Sequence, residues 1–554
     1  MTSTSNNPET IALHAGYRAD PTTTSVAVPI YQTTSYQFNS TEHASNLFSL
    51  KELGNIYTRI MNPTQAVLEE RLAALEGGVG ALAVSSGQTA SLFAVQNICH
   101  AGDNFVCSTD IYGGTWNLFA NTFETLGIEC RFVDPADPEN FARATDDKTR
   151  CYYGETLPNP KLRVFPISEV AQIGDDLGVP LIIDNTAAPI LCRPIDHGAT
   201  ISIHSTTKFI GGHGTSIGGI IIDSGRFDWE KHADRFPMLN TPDPSYHGAV
   251  WTEAVKPLGP IAYIIKARVT LLRDLGAAMS PFNAFMFIQG LETMALRVRQ
   301  HSENASAAAE YLSKHPKVTN VIHPSMQSGE DKRRAEKYIS GGYGALVGFE
   351  LAGGAAAGQK FIDNLEMFYH VANIGDARSL AIHPATTTHS QLTPEEQEQT
   401  GVTDGYVRLS IGIEHIDDII ADLERGLEAV DSVPKTGSRA NGSKATAPVR
   451  SNTQKPTAKN KPSHRLGPRQ LFPFKAYPKS GSRVCDIAVL EALLSPTLLI
   501  QSGEPYSRYL PSTSSTSKGS KFNRASCFTG ANPETYLKCQ YTPTRSGEMA
   551  SLLW

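Results

Sequence analysis

The sequence predicts an α/β fold, with a mostly parallel sheet of seven strands wrapped by helices and a smaller α+β domain after it. The first observation behind this prediction is that short apolar runs alternate with helix-length stretches between residues 65 and 223, as parallel strands with helical crossovers require. The second is a change after Arg226 to a loop-rich stretch and then a long helical one. Ligands of such sheets bind beyond the carboxyl ends of the strands.

The first clear element is an amphipathic helix that begins near Gln65. Its apolar residues recur at i, i+3, i+4 and i+7, and Gly77 and Gly78 end it. Seven apolar runs of strand length follow, at residues 81–84, 104–107, 129–133, 151–153, 180–183, 201–203 and 219–222. Most of them are separated by enough residues for a crossover helix, which favours a three-layer domain.

The second half of the chain has a different order of elements. A long helical region is predicted from 261 to 315, strands at 318–322, 345–351 and 406–411, and a closing helix at 416–428. We therefore expect four parts: an N-terminal arm (1–62) that reaches across a subunit contact, a large α/β domain (63–260), a C-terminal α+β domain (261–430) and a tail (431–554).

The charge distribution separates the tail from the rest. Up to Val430 the chain has 31 Lys and Arg against 49 Asp and Glu, whereas the remainder has 18 against 6. Residues 432–469 are also rich in Ser, Thr, Pro and Lys, a composition typical of disorder. The tail is either a regulatory extension or translated non-coding sequence from a wrong gene model, and we favour the second.

The remaining composition excludes several classes of protein. The first residues lack a basic stretch followed by an apolar one, so no secretory signal is predicted and the protein is expected in the cytoplasm. The most apolar tail segment, 484–500, is interrupted by Asp486, Glu491 and Pro496, which predicts no membrane span. The eight cysteines form no CxxC pair, so reduced thiols and no structural metal site are expected.

The strongest motif is His204-Ser-Thr-Thr-Lys208-Phe-Ile-Gly-Gly-His213, in which a lysine follows a predicted strand and precedes a glycine-rich turn. A buried lysine with a lowered pKa can form an imine with an aldehyde cofactor. The alternative is a surface lysine in a turn.

Asp184 strengthens the first interpretation, because it ends the preceding predicted strand. A carboxylate at the end of a buried strand is costly unless it meets a cation, and the pyridinium nitrogen of pyridoxal phosphate (PLP) is one. The alternative is a capping role for Asp184.

A third motif, Val84-Ser-Ser-Gly87-Gln88-Thr-Ala, leads from a strand into a helix. Amide groups at a helix N-terminus bind phosphate, although any strand-to-helix turn favours Ser and Gly. GxGxxG and Walker-type motifs are missing from the sequence, which disfavours dinucleotide and P-loop sites. Together, a phosphate-binding turn at Gly87, then Asp184 and then Lys208 along the chain indicate a PLP site.

These motifs resemble the Cys/Met-metabolism PLP-dependent enzymes of fold type I over about residues 8–430. The resemblance implies that Lys208 forms the Schiff base, that Asp184 pairs with the ring nitrogen, and that Tyr112 stacks on the ring and assists proton transfer. It implies cofactor contacts from Ser86, Gly87, Gln88, Tyr112, Asn159, Asp184, Thr186, Ser205, Thr207 and Lys208. Glu155 matches a position near the ring, with a solvated loop acid as the alternative.

The resemblance also implies residues for the substrate and the neighbouring subunit. Arg408 resembles the arginine that binds the α-carboxylate, and Asn373 lies where a second contact is expected. Tyr57 and Arg59 resemble a pair that binds the neighbour's cofactor phosphate, with Tyr57 also near the substrate. A homo-oligomer is implied, as a dimer or a tetramer of dimers.

The implied reaction is a γ-replacement in methionine and cysteine biosynthesis, in which sulfide displaces acetate from O-acetyl-L-homoserine to give L-homocysteine. Gly114 stands where methionine γ-lyase has a cysteine, which argues against that activity. Thr200 and Ala187 depart from the family pattern without removing a chemical group that the reaction needs. The alternatives are cystathionine γ-synthase or a γ-lyase and, from another class, an inactive scaffold that binds nucleic acid through the basic tail. The expected partners are small-molecule substrates, not nucleic acid or membrane.

Overall fold

The computed structural model describes residues 5–388, 390 and 401–431. The chain divides into two units, Met1–Gly442 and Ser443–Trp554, and the description below concerns the first. The predictions made for the tail, including that for residues 484–500, lie outside the described residues. Within the described part of the chain, none of the helices combines the length and apolar character that crossing a bilayer needs.

The strands form two sheets. Those of the first sheet are β1 (Gly80–Val84), β2 (Asn104–Ser108), β3 (Glu129–Val133), β4 (Thr149–Glu155), β5 (Leu181–Asp184), β6 (Ile201–His204) and β7 (Gly219–Asp223). Those of the second are β8 (Val318–Ile322), β9 (Leu346–Leu351), β10 (Tyr369–His370), β11 (Leu380–Ile382) and β12 (Tyr406–Ser410). Each of the seven predicted apolar runs is a strand of the first sheet, which confirms the predicted fold class.

The α-helices account for most of the remaining regular structure. They are α1 (Pro8–His14), α2 (Thr41–Phe48), α3 (Pro63–Glu76), α4 (Gly87–Gln96), α5 (Gly113–Asn117), α6 (Phe123–Thr125), α7 (Glu139–Arg143), α8 (Ile167–Leu177), α9 (Pro237–Asn240), α10 (Trp251–Ala254), α11 (Ala262–Lys266), α12 (Arg273–Leu275), α13 (Pro281–Glu292), α14 (Met294–Lys314), α15 (Gly329–Tyr338), α16 (Gly354–Asp363) and α17 (Ile416–Ala429). Gly77 caps α3 in the left-handed conformation, with φ +76°, as the glycine stop predicts.

The first sheet has the strand order β1-β7-β6-β5-β4-β2-β3. The pairs from β6 to β3 are parallel, whereas β7 runs antiparallel to both of its neighbours. β1, β2, β4, β5 and β6 therefore all end at the same edge of the sheet. The predicted site motifs follow these five strands, so the topology brings them together.

Helices cover both faces of this sheet. Ile183, Ile220 and Ile222 belong to a core cluster with α3, α8 and α13, whereas Ile182 and Ile221 belong to a second cluster with α4 and α11. Neighbouring residues of one strand thus face opposite layers, as the two-residue period of a strand requires. This confirms the expected three-layer arrangement.

The second sheet has the order β10-β11-β12-β9-β8 and packs with α14, α16 and α17 in a third core cluster. The structure adds β10 and β11, which the sequence did not predict. It also divides the predicted helical region 261–315. This region contains a π-helical segment at Ala267–Leu272 and a break between α12 and α13, where Gly276 has φ +78°.

One buried carboxyl of the first sheet makes the stability of the fold pH-dependent. Asp223 ends β7, and its Oδ1 accepts the Gly225 amide N–H at 2.9 Å. Burial raises the pKa of Asp223 to about 7. An unfolded aspartate releases its proton near pH 4. Between about pH 4 and pH 7 the unfolded chain therefore binds fewer protons, and stability falls as pH rises.

We expect Asp223→Asn to remove this loss, because the amide stays uncharged. The stability of the variant minus that of the wild type should therefore increase from pH 5 to pH 8, by about 1–4 kcal/mol. This increase should appear as a rise in the unfolding temperature of the variant relative to the wild type. Thermal unfolding of the exposed Asp234→Asn variant is the control and should show no such difference. Parallel pH profiles for the wild type and Asp223→Asn would contradict the assignment.

Candidate active site

A cavity of about 310 Å³ lies at the edge where the five strands end. Predicted site residues from both halves of the chain line it. They are Ser86, Gly87, Gln88, Tyr112, Glu155, Asn159, Asp184, Thr186, Ser205, Thr207, Lys208, Asn373 and Arg408. The structure therefore brings together all the predicted site residues except Tyr57 and Arg59.

Lys208 lies half-buried in the turn after β6 and lines the cavity, which disfavours the alternative of a surface lysine. Its Nζ donates a hydrogen bond to Asn373 Oδ1 at 2.5 Å. Burial, and to a smaller extent the positive charge of Arg408, lowers the pKa of Lys208 to about 8. The unprotonated amine, which is the nucleophilic form, is then more abundant near neutral pH than for an ordinary lysine.

Two carboxyls lie at the ends of adjacent strands in the same cavity. Asp184 ends β5 and Glu155 ends β4, and the two residues are register partners. Burial raises the pKa of both, and the negative charge of Asp184 raises that of Glu155 further. Glu155 is buried, so the alternative of a solvated loop acid is wrong. A cation brought to this pair would offset part of the cost of burying it.

The local contacts of both carboxyls fix their orientation. Asp184 Oδ1 accepts the Thr186 amide N–H at 2.9 Å, which is the capping contact that the alternative interpretation expects. Glu155 Oε1 accepts the Tyr112 amide N–H at 2.7 Å. Capping and a role in the cavity are therefore compatible for Asp184, because the carboxyl lines the cavity while one oxygen accepts the local hydrogen bond.

The N-terminus of α4 has features of an anion-binding cradle. Ser86 caps the helix, since its Oγ accepts the Thr89 amide N–H at 3.1 Å. Gly87 opens the helix against Ser205, and a Cβ atom at Gly87 would lie 2.6 Å from the Ser205 Cβ. The missing side chain leaves the backbone amides accessible from the cavity, where the helix dipole favours an anion.

The opposite wall carries a buried guanidinium. Arg408, in β12, is 8% exposed, and burial lowers its pKa. Its Nη2 donates to the Asn373 carbonyl oxygen at 3.0 Å, while its Nε is buried and unpartnered among the described residues. Arg408 therefore has donor capacity for an anionic group in the cavity, and a carboxylate suits it.

Tyr112 extends into the cavity from the loop after β2 and is 52% exposed. A Cβ atom at Gly114 would lie 2.5 Å from the Tyr112 ring, so the glycine makes room for the ring. Gln88 Nε2 donates to the Gly114 carbonyl oxygen at 3.1 Å. This contact joins the cradle to the tyrosine loop.

Tyr57 and Arg59 do not reach this cavity within one chain. They line a separate, open depression with Thr34, Gly276 and other residues. The Arg59 guanidinium lies over the Tyr57 ring, 5.5 Å from its centroid. That they bind the cofactor phosphate of a neighbouring subunit stays a prediction.

Several wall residues were missed from the sequence. They are Ser91, Thr115, Leu157, Ile217, Ala372, Ile374 and Thr388. Most are apolar or small, and nothing in their sequence context separates them from core residues. Thr388 is the exception, because its segment, Thr-Thr-Thr388-His-Ser-Gln-Leu, is unusually polar for a stretch that follows a buried strand.

The residues present fit a phosphorylated aldehyde cofactor with a basic ring nitrogen. The cradle at Gly87 provides anion binding, Lys208 provides an amine, and Asp184 provides a carboxyl that a cation would stabilise. Arg408 has donor capacity for a second anion.

Comparisons with known proteins agree with this fit. Residues 9–428 match the family model described as Cys/Met metabolism PLP-dependent enzyme. The chain is 56% identical to an O-acetyl-L-homoserine sulfhydrylase of Leptospira meyeri over 430 residues, which is 76% of this chain and 97% of the relative. It is 49% identical to a homocysteine synthase of Schizosaccharomyces pombe over 422 residues, 76% of this chain and 98% of the relative.

A crystal structure from Campylobacter jejuni superposes with a TM-score of 0.73 at 41% identity. The match covers 76% of this chain and 100% of that one, which contains N'-pyridoxyl-lysine-5'-monophosphate. The architecture described above is therefore shared with a protein in which a pyridoxyl group is joined to a lysine.

Proposed function

The chain belongs to the Cys/Met metabolism PLP-dependent enzyme family, and on this basis we propose that it converts O-acetyl-L-homoserine and sulfide into L-homocysteine and acetate. In this γ-replacement the Cγ–O bond to acetate breaks and a Cγ–S bond forms. The observation that carries the proposal is the assembly of Lys208, Asp184, the Gly87 cradle and Arg408 around one cavity, in a chain whose relatives are sulfhydrylases and homocysteine synthases. We place the reaction in methionine and cysteine biosynthesis in the cytoplasm.

The cofactor is PLP, and we assign its contacts as follows. Lys208 holds it covalently, and Asp184 faces its ring nitrogen. The amides of Gly87 and Gln88 and the hydroxyls of Ser86, Ser205 and Thr207 bind its phosphate, while Tyr112, Asn159 and Thr186 contact its ring region. In support, each of these residues lines the same cavity, and the dipole of α4 favours the phosphate.

Substrate binding and proton transfer are assigned to different residues of the chain. Arg408 binds the α-carboxylate of the substrate, with Asn373 beside it, which fixes the Cα–H bond relative to Lys208. When bound, PLP withdraws electrons from the substrate and so stabilises negative charge at Cα. Lys208 Nζ moves protons at Cα and Cβ, which its lowered pKa permits near neutral pH. The Tyr112 hydroxyl provides a second group for proton transfer.

The depression that contains Tyr57 and Arg59 supports a shared site. Both residues are presented on an open surface, where the arginine fork suits a phosphate. We propose that they complete the site of a neighbouring subunit, Tyr57 also contacting the substrate there. The assembly is then a homodimer or a tetramer of such dimers.

Two alternatives remain within the family, cystathionine γ-synthase and a γ-lyase. Gly114 argues against methionine γ-lyase, because that lyase has a cysteine at the corresponding position. An inactive scaffold is disfavoured by the assembled cavity and by family membership.

Steady-state assays test the proposed reaction. With O-acetylhomoserine and sulfide, we expect homocysteine as the product and a higher kcat/KM than with O-succinylhomoserine or O-acetylserine. Lys208→Ala should lower kcat by roughly 10²–10⁴-fold or more, because the acid–base group is lost. Formation of cystathionine from cysteine in preference to homocysteine, or a preference for O-acetylserine, would contradict the proposal.

A matched glycine pair tests the phosphate cradle. Gly87→Ala places a methyl group against the Ser205 side chain, and overpacking of about 1–3 kcal/mol should weaken PLP binding roughly 10- to 100-fold. Gly80→Ala, whose Cβ would lie 3.3 Å from the Ile264 side chain and away from the cavity, is the control. Titration of each apoprotein with PLP, followed by absorbance, measures the affinity. Equal affinities for the two variants would argue against the cradle.

A further inference from the structure

A row of buried polar side chains lies along one face of α14, the long helix that packs with the second sheet. Arg297, His301 and Asn304 are spaced at i, i+4 and i+7, so they lie on the same side of the helix. We call these three residues the polar stripe. All of them are buried, and a buried polar group is costly unless it is hydrogen-bonded. Their acceptors therefore show which segments α14 holds.

The first residue of the polar stripe holds the turn that contains Lys208. Arg297 donates from Nη1 to the Phe209 carbonyl oxygen at 2.8 Å and from Nη2 to the Ile210 carbonyl oxygen at 3.3 Å. Gly212 permits this close approach, because a Cβ atom there would overlap the Arg297 guanidinium. The turn after Lys208 therefore contacts α14 directly.

The last residue of the polar stripe holds the segment that follows β12, the strand that contains Arg408. Asn304 donates from Nδ2 to the Gly412 carbonyl oxygen at 3.1 Å and to the Glu414 carbonyl oxygen at 2.9 Å. The two contacts are about two helical turns apart along α14. One helix thus holds both the turn of the proposed cofactor lysine and the strand of the proposed carboxylate ligand.

His301 lies between these two contacts and reaches both segments. Its Nδ1 donates to the Ile411 carbonyl oxygen at 2.7 Å, since a carbonyl oxygen can only accept. Its ring packs edge-on against the Phe209 ring, with the centroids 5.6 Å apart and the planes at 87°. His301 therefore links the residue after Lys208 directly to the end of the Arg408 strand.

This link carries no charge. Burial lowers the pKa of His301 to about 4, so the imidazole is neutral near neutral pH. His301 consequently acts through distance and orientation, and replacing it by another neutral residue does not change the charge near the site.

A second connection joins the same two segments through residues 373–377. The Gly375 amide N–H donates to Ser410 Oγ at 3.0 Å, and the Ala377 amide N–H donates to the Gly212 carbonyl oxygen at 2.8 Å. Because this connection remains when His301 is replaced, we expect the spacing of the two segments to shift without their separation.

In the proposed function, an amino-acid substrate reaches both segments at once. Its amino group meets the cofactor that Lys208 holds, and its carboxylate meets Arg408. We propose that His301 is a positioning residue that sets the spacing between Lys208 and Arg408 and thereby selects amino acids over amines without a carboxylate. The inference rests on the proposed function and extends it to a buried residue that is not among those lining the cavity.

Two ligands that differ only in a carboxylate test the inference. L-Homoserine has the carboxylate, and 3-aminopropan-1-ol is the same molecule without it. The ratio of their Kd values, measured from the absorbance of the holoprotein, gives the carboxylate preference. His301→Phe keeps a ring against Phe209 but loses the donor to Ile411. Its carboxylate preference should fall about 3- to 10-fold, less than for the full loss of a hydrogen bond to a charged group, because the second connection remains.

A complementary variant and a matched control accompany this measurement. His301→Asn keeps a donor near the position of Nδ1 but loses the ring edge against Phe209, so its carboxylate preference should also fall. The control is His323→Phe. His323 is equally buried, and burial lowers its pKa to about 4 as well, but its Nδ1 bonds to the nearby Ser325 Oγ at 2.7 Å. This control should keep the carboxylate preference of the wild type.

The apoproteins provide a readout that does not depend on the substrate. Titration with PLP should give the same affinity for the His301 variants as for the wild type, because Arg297 still holds the Lys208 turn. The KM for O-acetylhomoserine should nevertheless rise in both variants. Weaker PLP binding would indicate general damage to the turn and overturn the role in spacing.

The remaining outcomes separate the inference from the proposed function. A carboxylate preference that is unchanged in either His301 variant, or that falls equally in His323→Phe, would overturn the role of His301 and leave the proposed function intact. A wild type without a carboxylate preference would overturn the assignment of Arg408 in the proposed function, and the inference with it.

Discussion

The burial of ionisable groups at one edge of the seven-stranded sheet is the constraint on which this structure depends. Lys208, Asp184, Glu155 and Arg408 converge on one cavity, and burial shifts the pKa of each toward its uncharged form. A domain tolerates such a cluster only where partners offset the cost. PLP and the substrate would provide such partners. The aldehyde of PLP would react with Lys208, its basic ring nitrogen would face Asp184, and the substrate carboxylate would pair with Arg408. A cluster of buried ionisable groups with shifted pKa values is typical of active sites.

Much of the fold could be predicted because its strands are buried on both faces. Such strands read as continuous apolar runs, and all seven runs proved to be strands. β10 and β11 escaped prediction since they have two and three residues, too few to show a period. The break near Gly276 was missed because the flanking segments are both strongly helical, and only a left-handed glycine separates them.

The candidate site was predictable to the extent that its residues follow strand ends. Asp184 ends a strand of the first sheet, Ser86, Tyr112 and Lys208 each come shortly after one, and the parallel topology gathers them. Tyr57 and Arg59 could not be assigned in the same way, because they have a role only if a second subunit approaches them.

The central claim is that geometry, and not a lowered pKa alone, makes Lys208 the covalent attachment point of PLP. Lys266 is an internal comparison, because burial lowers its pKa to about 8 as well, while its Nζ donates to the Asn97 carbonyl oxygen at 3.0 Å, away from the cavity. Borohydride reduction of the holoprotein, followed by proteolysis and peptide mass mapping, tests the claim most directly. We predict the mass of a reduced pyridoxyl phosphate on the peptide that contains Lys208. An unlabelled Lys208 peptide, or the label on Lys266 or another lysine, would contradict the account.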